Sequence, residues 1–136
     1  MDDAHREVIR AANDPASRPV HVIAVNQQLP VPPPTELTIL SLESWTTFFV
    51  VRWFFGSSEA SDEVGQRLQD GLEWHGEDDA GRVFVGGDYG GGGGDSTRWT
   101  RAAWLAPALD PSASSLRLSV LSPAGGQRVA VEIELQ

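Results

Sequence analysis

In several stretches of this chain apolar residues recur at every second position, and the runs are broken by short clusters of glycine, proline and acidic residues. The clearest case lies near the C-terminus. Leu116, Leu118 and Val120 alternate with Arg117 and Ser119, and Val129, Val131, Ile133 and Leu135 alternate with Ala130, Glu132 and Glu134. Successive side chains on a strand point to opposite faces, so the two runs predict a hairpin with one face buried and one wet, turned by Ser122-Pro123-Ala124-Gly125-Gly126. A second hairpin is predicted where Leu72-Glu73-Trp74 leads into Gly76-Glu77-Asp78-Asp79-Ala80-Gly81 and Arg82-Val83-Phe84-Val85 leaves it.

Upstream, residues 20–25 and 37–42 are β-branched or apolar and read as strands, separated by the stiff, donor-poor segment Leu29-Pro30-Val31-Pro32-Pro33-Pro34. The run 46–55 is apolar on both faces, with Phe49, Val51, Trp53 and Phe55 on one and Phe48, Val50 and Phe54 on the other. Arg52 is its only charge, the pattern of a central strand covered on both sides. Strand character returns at 97–105, where the odd separation of Trp99 and Trp104 puts them on opposite faces. Residues 2–13 predict a short helix capped by Asp2 or Asp3 and stopped by Asn13-Asp14-Pro15. The polar stretch 56–71 is expected to be a mobile connection with at most one helical turn around 64–68.

Six to eight short strands with turn signals between them predict an all-β chain, an immunoglobulin-like antiparallel β-sandwich of about 7–8 strands (19–136) behind a helical N-terminal arm (1–18). Phe48, Phe49, Trp53, Phe54, Val131 and Ile133 are expected in its core.

Composition narrows the function. The 136 residues carry a net charge of −9, so a basic surface for nucleic acid or anionic lipid is not expected. Cysteine is absent, and all ten basic residues are arginine, which removes thiolate and lysine chemistry. An acidic start, Met1-Asp2-Asp3, and no apolar stretch of ~18 residues predict a cytoplasmic chain that does not span a membrane.

Candidate chemistry is sparse. His5, His21 and His75 lie in separate segments with no metal-ligand spacing, and no Gly-x-Ser-x-Gly elbow is present. His75 beside Glu77 and Asp78 is the nearest approach to an acid–base pair. Asp78, Asp79, Asp88 and Asp95 offer clustered carboxylates for calcium or hydrolysis, set against their plain role as turn formers. The run of five glycines at 90–94 lacks the lysine and the strand–helix frame of a phosphate loop. Neither catalytic residues nor a cofactor are expected. Tyr89, Trp99 and Trp104, beside the glycine-rich loop 86–95, are instead expected to bind a protein partner or a second copy. The N-terminal arm would serve as the tether if the chain were a structural subunit of a larger particle.

From residue 72 onward the chain resembles bacterial immunoglobulin-like accessory domains, such as the sandwich domains of anti-sigma-factor-like proteins of Gram-positive bacteria. The resemblance rests on Asp78-Asp79-Ala80-Gly81-Arg82-Val83-Phe84, on Trp104-Leu105-Ala106-Pro107-Ala108-Leu109, and on the paired strands 116–120 and 129–135. It implies a sandwich without catalytic residues of its own.

Overall fold

The computed structural model describes residues 3–58, 61–88, 92–94 (backbone only), 97–123 and 126–135. Helix α1 (Asp3–Ala12) is followed by strands β1 (Pro19–Gln28), β2 (Thr35–Trp45) and β3 (Phe49–Ser57). Helix α2 (Asp62–Asp70) leads to β4 (Glu73–Asp78), β5 (Val83–Gly87), β6 (Gly92–Gly94), β7 (Arg98–Ala106), β8 (Ser115–Leu121) and β9 (Arg128–Glu134). All ladders are antiparallel, in the order β1-β2-β3-β7-β5-β4-β8-β9, with β6 also on β7. The protein is therefore mostly antiparallel β with two short helices.

Both predicted hairpins form, β4 with β5 and β8 with β9, and period-two burial runs through them: Leu116, Leu118, Val120, Val129, Val131 and Ile133 all face inward. On β2 the alternation changes phase. A register shift between Ile39 and Ser41 leaves Leu40 40% exposed, and Leu37, Ile39 and Leu42 all reach the interior. One continuous cluster forms the core, with Phe49, Val51, Trp53 and Phe55 of β3 against Trp74, Phe84, Ala103 and Leu105. Phe49 meets Phe84 edge-on at 5.3 Å and Trp53 lies 6.2 Å from Trp74. These contacts tie β3 to β5 and β4 through the interior, and each such buried side chain contributes roughly 1.5–3 kcal/mol.

Three expectations need correction. Residues 46–48 are a turn and not the start of a strand: Trp45 donates its N–H to the Phe48 carbonyl at 2.9 Å and closes the β2–β3 hairpin. Phe54 is half-buried on the outer face, beneath the Arg98 guanidinium at 5.8 Å, so only the inner face of β3 is core along its whole length. Segment 56–71 contains the helix α2. Its N-cap Ser61 accepts from Val64 N–H at 3.1 Å, Glu63 pairs with Arg67 one turn on, and Leu68 is fully buried. Gly71 ends it at φ +93°, which a side chain rarely adopts.

Helix α1 is docked on the sheet. Val8 is 1% exposed, and Ala4, Val8 and Ala11 face Val83 and Val85 of β5 and Ala106 of β7. Thr47 Oγ1 bonds the Ala11 carbonyl at 2.6 Å and fixes the helix end to the β2–β3 turn. The apolar edge formed by Val8 is thus used within the chain.

Candidate functional site

The aromatic residues expected to bind a partner separate. Tyr89 lies outside the described residues. Trp99 points inward from β7, packs against the core and carries the Arg101 guanidinium 5.5 Å from its ring centroid. Trp104 sits half-buried on the outer face, level with Val50 of β3 and Gly87 of β5. The opposite-face reading of this pair holds, since β7 stays in one register along β3.

Trp99 belongs to a cluster with one acid and one base. Trp53 donates its indole N–H to Asp88 Oδ1 at 3.1 Å, and Leu72 N–H reaches Oδ2 at 3.0 Å. Desolvation is the largest influence and pushes the Asp88 pKa up to about 6, against these two bonds and the nearby charge of Arg101. Arg101 in turn donates to the Leu68 carbonyl at the end of α2 at 2.7 Å. The buried Nε1 atoms of Trp74 and Trp99 have no hydrogen-bond partner among the described residues. Asp88 came forward from the sequence only as an oxygen ligand. Arg101 was missed, because its place opposite Trp53 follows from the β3–β7 register and from no local signal.

The acidic turn is consumed by its own structure. Asp78 Oδ1 accepts from Ala80 N–H at 3.0 Å and Arg82 N–H at 2.9 Å, while its Oδ2 lies 3.0 Å from Arg82 Nε. Arg82 also pairs with Asp110. Asp79 accepts from the Ser114 hydroxyl at 2.7 Å. The turn is thereby tied to segment 107–114. Asp95 lies outside the described residues, and among those described no three His, Asp or Glu side chains are grouped as metal ligands. His75 meets Glu73 at 3.4 Å, and His21 is exposed on β1.

A different feature stands out at the ends of the sheet. β1 and β9 end the strand order, and they face each other across a gap, running in opposite directions, with no ladder joining them among the described residues. Gln27 Nε2 bridges to the Glu132 carbonyl at 3.2 Å. Beyond that bridge a gap of about 580 Å³ opens, lined by Ile23, Ala24, Val25 and Gln27 on one side and Glu132, Ile133, Glu134 and Leu135 on the other. Ile23, Val25 and Leu135 are only half-buried, and Val20 and Val22 of β1 are 57% and 64% exposed. Backbone N–H and C=O groups along such edges present a template for another strand. Edge status was beyond the sequence, because it depends on which strands end the order. The chain matches no protein-family model, no curated protein and no solved structure.

Proposed function

We propose that this chain is a non-catalytic protein-binding module that takes up an extended segment of a partner between β1 and β9. The reading treats the molecule as an immunoglobulin-like sandwich of two leaves, β1-β2-β3-β7 and β5-β4-β8-β9, open along one flank. The observation that carries it is the pair of facing strand edges spanned by one side-chain bridge. A strand edge without a ladder leaves its N–H and C=O groups open to a further strand, and an added strand meets both at the required spacing.

The chemistry of the flank describes the segment. Its inward positions would meet Ile23, Val25 and Ile133, so they should be apolar. Its outward positions would pass Glu132 and Glu134 in a chain of net charge −9, so they should be basic. Because β1 and β9 are mutually antiparallel, an inserted strand runs antiparallel to one and parallel to the other.

The test is a selection of short extended peptides against the immobilised protein. The expected binders alternate apolar and basic residues, lose affinity on N-methylation of alternate amides, and lose it when Glu132 and Glu134 are both changed to arginine. Binders indifferent to both changes would sink the reading. Native mass spectrometry addresses the occupant: a discrete dimer abolished by the same arginine pair would make the inserted segment part of a second copy.

A further inference from the structure

The open flank leads at one end into a second concavity. Gln27 closes one end of the gap, and at the other Ile23 and Leu135 are shared with a pocket of about 500 Å³. Its other walls include Val20, Trp45, Leu109 and Ala113, with His21, Ser44, Thr46 and Asp110 among the polar contributors. We infer that this pocket is the anchor site of the interface proposed above, and that it takes a bulky apolar side chain, aromatic or branched aliphatic, carried at the end of the inserted segment. The inference rests on the strand-addition reading.

Three observations lead to that occupant. The pocket is continuous with the gap through two shared residues, so a strand held beside Ile23 and Leu135 delivers its terminal side chain into it. Its lining is mainly apolar and includes no lysine or arginine, while the one acid, Asp110, is already paired with Arg82 and bonded by Ser112. A cationic anchor would enter without a free carboxylate to meet it there. The walls are also held in place before anything binds. Trp45 stacks on Phe48 at 5.4 Å, Ala113 N–H bonds the Asp110 carbonyl at 3.0 Å, and Leu135 N–H bonds the Ser114 carbonyl at 2.9 Å. Rigid, mainly apolar walls accept a large apolar group with little ordering cost.

The experiment uses two synthetic peptides, acetyl-Phe-Arg-Val-Arg-Val-amide and its reverse, each beside a version with alanine in place of phenylalanine. Calorimetry on the full chain is expected to show one phenylalanine peptide binding at least about tenfold tighter than its alanine version. Leu109→Glu should erase that ratio and leave the alanine peptide unchanged. Because Leu109→Glu also risks the fold, N-acetylphenylalaninamide is titrated into the unaltered protein, where it should shift the Trp45 indole N–H resonance, assigned with Trp45→Phe. Equal affinity of phenylalanine and alanine peptides overturns the anchor and leaves the strand-addition reading standing. If none of the peptides binds, the strand-addition reading falls, and the anchor falls with it.

Discussion

Trp53 donates its indole N–H to Asp88 at 3.1 Å, across 35 residues of sequence, and holds a carboxylate against the aromatic core. Burial raises the Asp88 pKa from 3.8 to about 6. A carboxyl group whose folded pKa is raised contributes its full stability below the unfolded value and loses it as pH rises through the folded value. Between pH ~4 and ~6.5 the protein should therefore become less stable by up to about 3 kcal/mol, at ~1.4 kcal/mol per unit. Asp88→Asn should flatten that slope in urea titrations followed by tryptophan fluorescence. An unchanged slope would assign the effect elsewhere.

At more acidic pH the sign reverses. The Ser114 hydroxyl and N–H hold Asp79 below its ordinary pKa, and Ser112 with Arg82 holds Asp110 well below the carboxylate range. Depressed groups contribute stability above their unfolded pKa and lose it as pH falls through the folded one. Asp110→Asn is expected to lower the melting temperature at neutral pH and to narrow the further loss below pH ~4. Thermal scans at several pH values separate this window from that of Asp88.

Gly86 occupies the tightest position in the sheet. A Cβ there would lie 1.8 Å from the Trp104 carbonyl oxygen and 2.7 Å from the Leu105 Cα, both backbone atoms. Gly86→Ala should cost more than about 3 kcal/mol or prevent folding. Gly81→Ala meets nothing within 4 Å but sits at φ +84°, so it should cost only ~1 kcal/mol of strain. Chemical denaturation of the pair reads the difference.

Trp99 and Trp104 should also behave differently. Trp99→Ala removes a ring that packs on the core and supports Arg101, with an expected loss of about 3 kcal/mol. Trp104→Ala, on the outer face, should cost clearly less. If the two variants denature alike, Trp104 contributes to the fold as Trp99 does.

Much of the fold was legible because its signals were local. Turn chemistry at 76–81 and 122–126 and strict alternation in β8 and β9 identified two hairpins, and Asn13 closed α1 by bonding the Ile9 carbonyl at 2.8 Å. Helix α2 was missed because only Val64 and Leu68 give it an apolar edge, and its stability comes from Leu68 packing and the Arg67 side chain on the Pro123 carbonyl, 56 residues away. The β1–β9 flank was illegible for a related reason. Nothing in Ile23 or Leu135 marks them as neighbours until eight strands have been set in order.

Among the described residues a single ladder, between β5 and β7, joins β1-β2-β3-β7 to β5-β4-β8-β9 in the strand order, and it is three pairs wide: Val85 with Ala106, Gly86 with Leu105, and Gly87 with Trp104. Helix α1 lies across this narrow join and touches both sides of it. In mechanical terms the helix is a splint over this short ladder. Removing residues 1–18 should speed amide hydrogen exchange first along this β5–β7 ladder, while the amides over the shared core keep their protection.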